Sequence, residues 1–361
     1  MKSKYIELLN TAGQVVWYDN LSRDVLDDGS LAQLIKAGVS GLTSNPTIFQ
    51  KALASSPRYD DSIRQLRSKE SMSADSVCEQ LFVQDVGRAA DLLLPVYEAT
   101  EGRDGFASLE VSPELAFNTT GTIEAALRLW KMLKRPNVMI KVPATKEGVL
   151  AIQTLLENGI NLNITLIFSV QRYREVVNAY VQAMKNRKAA HKPVDRIASV
   201  ASFFVSRVDS MVTKKLGKED AKFLGKVSVA NCRLAYETYK EVFLSPDFLA
   251  VGARSQKPLW ASTGVKSTQL NPTYYVEQLI APNTVETLPP QTLDAIMNGL
   301  SINSLEKMSL ESARQTIAEL EVEGIKFNEL LDELMVEGVA LFAESYADLL
   351  KGVSAKMDQL K

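Results

Sequence analysis

Lys141 occurs in a setting that can turn a lysine into a nucleophile. It lies in the run Val138–Pro143, where its neighbours are apolar residues and one proline, and this pattern predicts a buried strand. Burial disfavours the charged ammonium form of a lysine, and a neutral amine can attack a carbonyl carbon to form a Schiff base. The alternative is an edge strand on which Lys141 faces solvent.

Two carboxylates and a threonine are suited to move protons around such an amine. Glu110 lies on the strand that precedes Lys141, and Thr165 lies on the strand that follows it. Glu110 is therefore a candidate general acid/base, acting directly or through a water held by Thr165. Asp19 is a candidate to take a proton from a substrate hydroxyl when a carbon–carbon bond breaks. In the alternative interpretation, Glu110 is only the ion-pair partner of Lys141, and Asp19 caps a turn.

The remaining candidates suit a ligand with several hydroxyls and a phosphate. Asn45 and Asn163 each offer donors and acceptors, although Asn45 before a proline could simply start a turn. Ser202, Arg207 and Lys266 are a candidate phosphate anchor. The other polar residues at the strand ends are Thr43, Ser108 and Ser262. Together these residue types predict an aldolase that acts on a sugar phosphate.

The elements that must position these residues alternate between strand and helix. Short apolar runs predict strands at 15–19, 39–43, 106–111, 138–143, 162–168, 197–205, 258–262 and 284–288. Eight such alternations predict a (β/α)8 TIM-type barrel, whose catalytic residues lie at the carboxyl ends of the strands. Helical insertions follow the second and sixth strands. We expect one domain over 1–361, with 291–361 a mainly helical C-terminal extension packed on the barrel.

Composition excludes several other classes of function. The 41 lysines and arginines nearly balance the 43 aspartates and glutamates, which argues against nucleic acid or an anionic membrane as a partner. The single histidine, His191, lies in a polar stretch, so histidine-based triads and zinc sites are not expected. No nucleotide-binding glycine motif occurs. Cys78 and Cys232 have no ligand spacing, and we expect a cytoplasmic protein.

Several motifs resemble those of one enzyme family. The segment from Gly41 to Phe49, GLTSNPTIF, resembles the Thr-Ser/Thr-Asn-Pro signature of transaldolases, and the strand around Lys141 resembles their Schiff-base strand. The segment from Gly159 to Ser169, GINLNITLIFS, is similar to the family segment that follows that strand. The length and the segment from Leu259 to Lys266 resemble the longer subgroup found in bacteria and plants.

The resemblance implies a reaction and a role for each matched residue. Lys141 would form the imine with a ketose, Glu110 and Thr165 would hold the catalytic water, and Asp19 would assist carbon–carbon cleavage. Asn45 and Asn163 would bind the dihydroxyacetone portion. The implied reaction transfers a dihydroxyacetone unit from sedoheptulose 7-phosphate to glyceraldehyde 3-phosphate, in the non-oxidative pentose phosphate pathway. It implies no metal or organic cofactor, and sugar phosphates as the binding partners. We expect a monomer or homodimer, between which the sequence does not decide.

The sequence departs from the family pattern around the phosphate anchor. Ser202-Phe203-Phe204-Val205-Ser206-Arg207 stands where many members read Ser-Pro-Phe-Val-Gly-Arg, so the serine and arginine keep their places. Lys266 stands near a second phosphate arginine of many members. Phe204 stands where related acceptor-independent aldolases have a tyrosine, which favours transfer over release of free dihydroxyacetone. One alternative is an acceptor-independent class I sugar-phosphate aldolase on the same fold, and another is a non-catalytic sugar-phosphate binder.

Overall fold

The computed structural model describes residues 2–69 and 72–360. The strands are β1 (Gln14–Asp19), β2 (Gly41–Thr43), β3 (Ala107–Glu110), β4 (Val138–Pro143), β5 (Leu162–Ile167), β6 (Ser199–Phe204), β7 (Lys257–Ala261) and β8 (Thr284–Leu288). The helices are α1 (Lys4–Thr11), α2 (Arg23–Asp27), α3 (Ser30–Ala37), α4 (Pro46–Ser55), α5 (Asp60–Lys69), α6 (Ala74–Ala99), α7 (Thr119–Leu133), α8 (Lys146–Glu157), α9 (Val170–Ala189), α10 (Ser206–Leu216), α11 (Lys226–Phe243), α12 (Pro246–Leu249), α13 (Tyr274–Gln278), α14 (Pro290–Asn298), α15 (Leu310–Val322) and α16 (Phe327–Gln359).

The strands form a closed parallel barrel in chain order, from β1 through β8 and back to β1. The predicted fold class is therefore confirmed, and the predicted strands overlap the observed ones. The alternative that Lys141 lies on an edge strand is wrong, because β4 pairs with β3 on one side and β5 on the other. A closed barrel has no edges, and every second residue of a strand points into its interior.

The barrel interior changes character along its axis. Trp17, Met139, Leu259 and Val285 are inward-facing, buried and part of one apolar cluster. The Trp17 ring lies against β2, where a Cβ added to Gly41 would stand 2.4 Å from it, so this position requires glycine. Further along the strands, at their carboxyl ends, the inward positions become polar. Apolar packing therefore closes the middle of the barrel, and a polar chamber opens above it.

Two parts of the chain do not belong to the regular alternation of strand and helix. Both pack at the carboxyl-terminal end of the barrel, where the chamber is polar. After β2, the chain runs through α4, α5 and the long α6 before it returns to β3. The last helix, α16, packs on α4, α5, α6 and α10 and touches β5. It therefore crosses the carboxyl-terminal end of the barrel. Within the described residues, no helix combines the length and the apolar character needed to span a membrane.

Candidate active site at the carboxyl ends of the barrel strands

The register of three neighbouring strands places a carboxylate, an amine and an amide side by side. Glu110 of β3 pairs with Lys141 of β4, which pairs with Asn163 of β5. The Lys141 Nζ lies 3.0 Å from Glu110 Oε2 and donates a hydrogen bond of 3.1 Å to the Ser44 carbonyl oxygen. The Lys141 and Glu110 side chains are only 6% and 5% exposed. The lysine is thus buried with a proton partner in direct contact.

Burial governs the acid strength of both carboxyl groups near this amine. Desolvation raises the pKa of Glu110, and the charge of Lys141 offsets part of that rise. Desolvation also raises the pKa of Asp19, again against the opposing charge of Lys141. Raised carboxyl pKa values bring an acid closer to neutral pH, where it can both accept and donate a proton. The two carboxyl groups therefore have the electrostatic setting of general acid/base groups.

Asp19 is held by a short chain of hydroxyls across three strands. Thr43 Oγ1 donates to Asp19 Oδ1 at 2.7 Å and lies 2.6 Å from Thr287 Oγ1. Because Asp19 and Thr43 are register partners on β1 and β2, this contact fixes the carboxylate at the end of its strand. Because the single Thr43 hydroxyl proton is donated to Asp19, the Thr287 hydroxyl on β8 donates to Thr43 Oγ1.

The Thr-Ser-Asn-Pro stretch is the start of a helix, so the alternative that Asn45 and Pro46 start a turn is wrong. Asn45 caps α4, its side-chain oxygen accepting from the Ile48 backbone N–H at 3.0 Å, and Pro46 is the first helical residue. Ser44 Oγ donates to the Ser108 carbonyl oxygen at 2.8 Å. These bonds hold the Ser44 carbonyl, which receives the Lys141 hydrogen bond.

A row of polar side chains runs beneath the amine. Ser202 Oγ donates to Asn163 Oδ1 at 2.7 Å, and Asn163 Nδ2 donates to Ser108 Oγ at 3.1 Å. All three side chains are almost fully buried. Asn163 is therefore oriented by its neighbours on β3 and β6, with its oxygen toward Ser202 and its amide toward Ser108.

The end of β5 carries a local backbone irregularity next to Thr165. The register against β6 shifts between Ile164 and Ile167, and Leu166 has a φ of 57°, which is costly for a bulky residue. Thr165 faces the cavity described below, and its buried hydroxyl makes no hydrogen bond with the described residues. The bulge aims a hydroxyl with free bonding capacity at the space above Lys141.

Arg207 provides positive charge on the other side of the chamber. Its guanidinium lies 5.5 Å from the ring centre of Phe204 and 6.0 Å from that of Phe342, and burial lowers its pKa. Within the described chain it makes no hydrogen bond or ion pair. Its donors are therefore available to an anion. Lys266 is exposed at the rim of the same chamber.

The C-terminal helix closes part of the chamber. The Phe342 ring of α16 lies 5.7 Å from Lys141 Nζ and is 5% exposed. Gly338 makes this approach possible, because an added Cβ would stand 3.0 Å from Leu166 and 3.7 Å from the Arg207 guanidinium. Thr47 of α4 and Ser345 of α16 are joined by hydroxyls 2.8 Å apart. The helix therefore lies directly over the amine and the arginine.

These groups surround one cavity of about 320 Å³. Predicted residues on its wall are Asp19, Thr43, Asn45, Lys141, Thr165, Ser202, Phe204, Arg207, Ser262 and Lys266. Glu110, Asn163 and Ser108 lie just behind it: Glu110 contacts Lys141, while Asn163 and Ser108 belong to the row beneath. The Ser262 hydroxyl is 3.2 Å from that of Ser206. The structure thus brings the predicted residues into one neighbourhood, arranged in two layers.

Sequence reasoning missed several residues of this wall. Thr47, Lys51, Thr287 and Phe342 all line the cavity. Thr287 carried a usable signal, because it stands near the carboxyl end of a predicted strand like the others. Phe342 carried none, since its spacing within the helical pattern is that of a packing residue. Among the described residues, no cluster of three or more metal-ligating side chains occurs.

This chain is similar to known proteins along nearly its whole length. Residues 16–353 match the transaldolase/fructose-6-phosphate aldolase family. A transaldolase of Saccharopolyspora erythraea is 44% identical, covering 99% of this chain and 98% of its own length. A transaldolase of Thermobifida fusca is 45% identical, covering 98% of both chains. A transaldolase of Mycobacterium tuberculosis is 43% identical, covering 97% of this chain and 96% of its own.

Proposed function

The chain belongs to the transaldolase/fructose-6-phosphate aldolase family, and from this premise we propose how its site works. Its function is that of a transaldolase: it moves a dihydroxyacetone unit from sedoheptulose 7-phosphate to D-glyceraldehyde 3-phosphate, giving D-erythrose 4-phosphate and fructose 6-phosphate. The observation that carries the proposed mechanism is the buried Lys141–Glu110 ion pair, in which Lys141 lines the cavity at the carboxyl ends of the strands and Glu110 contacts it from behind the wall.

Imine formation begins with proton transfer inside that pair. The raised pKa of Glu110 lowers the cost of moving a proton from the ammonium to the carboxylate, which leaves a neutral amine. The Lys141 nitrogen then attacks carbon two of the ketose. Glu110 returns the proton to the departing hydroxyl, and water leaves as the imine forms. Thr165, whose hydroxyl has no other partner in the described structure, positions that water.

Carbon–carbon cleavage uses Asp19. Its carboxylate takes the proton from the hydroxyl on carbon four, and the bond between carbons three and four breaks. The electron pair moves into the protonated imine, which is the electron sink, so the proposed reaction uses no metal or organic cofactor. The aldehyde leaves, and the dihydroxyacetone unit stays on Lys141 as an enamine. The acceptor aldehyde enters, and the same steps run in reverse.

Substrate binding is proposed to divide between the two sides of the chamber. Asn45, on the wall, binds the hydroxyls of the dihydroxyacetone unit, and Asn163, just behind the wall, contributes to the binding of this unit by orienting Ser202. Arg207, whose donors are unused by the described residues, binds the phosphate together with Ser202, and Lys266 adds positive charge at the rim. The sugar then spans the distance from the amine to the cationic wall. A cytoplasmic monomer or homodimer is part of the proposal.

Trapping the imine tests the assignment of Lys141. Fructose 6-phosphate with borohydride should add a sugar-derived mass to the peptide that contains Lys141 and inactivate the enzyme in parallel. The Lys141→Met variant should take up no such mass. A stoichiometric adduct on another lysine, for example Lys51 in the same cavity, would move the nucleophile and reject the mechanism.

Phe204 bears on the second candidate, an acceptor-independent aldolase. It lines the cavity under Arg207 and has no hydroxyl to hold a water near the imine. We therefore expect slow release of dihydroxyacetone from fructose 6-phosphate alone and fast turnover once erythrose 4-phosphate is added. Rapid multiple-turnover release without an acceptor would favour the aldolase. The Phe204→Tyr variant should shift the ratio toward release.

A further inference from the structure

Thr287 lines the cavity around Lys141, but the proposed mechanism gives it no role. It stands on β8 and is almost fully buried. Its hydroxyl oxygen lies 2.6 Å from that of Thr43 on β2. Because β1 lies between β8 and β2 in the barrel, the two side chains meet across this strand. Asp19, the group proposed to take the proton in carbon–carbon cleavage, is the last residue of β1.

The strand register places the two threonines at different levels along β1. Thr43 pairs with Asp19, whereas Thr287 pairs with Trp17, two residues earlier on the same strand. Trp17 belongs to the apolar middle of the barrel, and Asp19 lines the polar chamber. The pair of hydroxyls therefore connects the top of the apolar layer to the carboxylate above it.

The number of protons sets the direction of these hydrogen bonds. Each threonine hydroxyl has one proton to donate. Thr43 donates its proton to Asp19 Oδ1 at 2.7 Å, so the proton between the two threonines comes from Thr287. Within the described residues, the Thr287 hydroxyl makes no other hydrogen bond. The bonds therefore run in one direction, from Thr287 to Thr43 to Asp19.

This direction suits a carboxylate that must accept a proton from a substrate. A hydroxyl that receives a hydrogen bond becomes a stronger donor, because successive hydrogen bonds polarise one another. Thr43 therefore stabilises the ionised form of Asp19 more strongly when Thr287 donates to it. Asp19 Oδ2 accepts no hydrogen bond from the part of the chain that the structure describes. The second oxygen thus stays available for a substrate hydroxyl.

The backbone of Thr287 is fixed from both neighbouring strands. Thr287 pairs with Trp17 on β1. On the other side Thr263, which follows β7 and is fully buried, donates its hydroxyl to the Thr287 carbonyl oxygen at 3.4 Å. The threonine side chain is β-branched, which restricts rotation about its first side-chain bond. The Thr287 hydroxyl is therefore held in place to meet Thr43.

We propose that Thr287 is a positioning residue for Asp19, acting through Thr43, and that it serves the carbon–carbon cleavage step alone. This inference rests on the proposed function, in which Asp19 takes the proton from the hydroxyl on carbon four. Imine formation uses Lys141 and Glu110, whose contacts with each other do not involve Thr287. Loss of the Thr287 hydroxyl should therefore slow cleavage and leave imine formation unchanged.

Borohydride quenching at short times separates the two steps. Fructose 6-phosphate is mixed with the intact protein, and glyceraldehyde 3-phosphate is removed as it forms. Borohydride reduces both imines on Lys141, the one that holds the intact sugar and the one that holds dihydroxyacetone after cleavage and reprotonation. The two adducts differ in mass. Total adduct measures imine formation, and the dihydroxyacetone fraction measures cleavage.

Alanine and serine at position 287 are the matched pair, because they differ by one oxygen atom. Thr287→Ala should form total adduct at the wild-type rate but convert it to the dihydroxyacetone adduct about 3- to 10-fold more slowly, the effect of one net hydrogen bond. Thr287→Ser should recover most of that rate. Thr287→Val, which fills the space that a water could enter in the alanine variant, should slow conversion as alanine does.

Thr284→Ala is the control for a general loss of packing in β8. Thr284 is a fully buried threonine of the same strand, and its hydroxyl donates to the Ala281 carbonyl oxygen at 2.5 Å and accepts from Gln14 at 3.0 Å. Conversion in this variant should match that of the wild type.

Two results would overturn the role of Thr287. One is equal conversion in Thr287→Ala and Thr287→Ser, and the other is an equal slowing of imine formation and cleavage. Absence of any adduct on Lys141 in the wild-type protein would instead reject the proposed function, and this inference with it.

Discussion

Two lysines stand on inward positions of the same barrel, at opposite ends, and their surroundings differ. Lys141 has a carboxylate oxygen at 3.0 Å and a carbonyl oxygen at 3.1 Å. Lys257 has one carbonyl oxygen at 3.5 Å and no ion pair within the described residues. Lys141 is buried and Lys257 partly buried, but only Lys141 has a carboxylate in direct contact. The two amines therefore differ in whether a proton acceptor lies beside them.

The difference arises from what the neighbouring strand presents in register. Glu110 is the direct partner of Lys141 on β3, so a proton acceptor is fixed beside the amine by backbone pairing. Beside Lys257, β6 presents Val200 in register. The carboxyl ends of the strands also receive α4 and α16, which add Asn45 and Phe342 to the wall. The amine-catalytic arrangement depends on these added contacts.

Replacing Lys141 should have the largest effect on activity. Lys141→Met removes the nucleophile, and we expect a loss of at least about 10⁵-fold in kcat. It also breaks a buried ion pair, which should lower the free energy of unfolding by about 3–5 kcal/mol. Single-turnover kinetics and urea denaturation measure the two effects. Retention of wild-type kcat would show that Lys141 is not the nucleophile, and the comparison between the two lysines would then not bear on catalysis.

Replacing Glu110 should have the second-largest effect on activity and should also change the pH dependence of the rate. Glu110→Gln keeps the shape and loses the acid/base function, so kcat/KM should fall by about 10²- to 10⁴-fold. Because burial raises the pKa of Glu110, the wild-type rate should decline on the acid side at a pH above the ordinary glutamate range. That decline should be lost or altered in the variant. Matching pH profiles would assign the proton transfers elsewhere.

Removing the guanidinium of Arg207 should affect binding more than chemistry. Arg207→Ala should raise KM for phosphorylated substrates by roughly 10- to 100-fold, the expected cost of charge-assisted hydrogen bonds. The unphosphorylated donor fructose should be affected far less. Arg207→Lys should recover part of the loss through its point charge. An unchanged KM would place the phosphate elsewhere in the cavity.

Opening the cavity under α16 should lower activity moderately. Phe342→Leu removes part of the wall above Lys141, and we expect kcat/KM to fall about fivefold as water enters the site. Phe327→Leu is a matched control, because Phe327 is a buried residue of the same helix outside the cavity. Both should cost similar stability. Equal losses of activity would show that Phe342 acts through the fold alone.

The smallest expected effect is at Lys257, and its sign is opposite to that at Lys141. Lys257→Met keeps the apolar stem and removes a desolvated charge, so the free energy of unfolding should rise by about 0.5–2 kcal/mol. Lys192→Met should change it by less than about 0.5 kcal/mol. Urea denaturation at pH 7 measures all three proteins. A loss of stability at Lys257 would mean that its amine has a stabilising role that the contacts do not reveal.

Much of the site was predictable because the relevant patterns are local. Strand-like apolar runs located all eight strands, and the rule that barrel chemistry lies at strand ends selected Lys141, Asp19 and Arg207 without any knowledge of contacts. The same rule, applied to the eighth strand, would have found Thr287. It could not separate residues on the cavity wall from those behind it, such as Asn163 and Ser108.

The sequence by itself determined the barrel and the chemical types at the strand ends, because the alternation of strands and helices and the residues that end each strand are local features of the chain. That Lys141 lies on a strand paired on both sides was decided by the tertiary structure. Only the tertiary structure decided that Glu110 lies beside Lys141 at 3.0 Å, that Phe342 covers the amine, and that Lys257 has no such partner. Those facts depend on strand register and on the path of α16, which follow from packing between residues far apart in the chain.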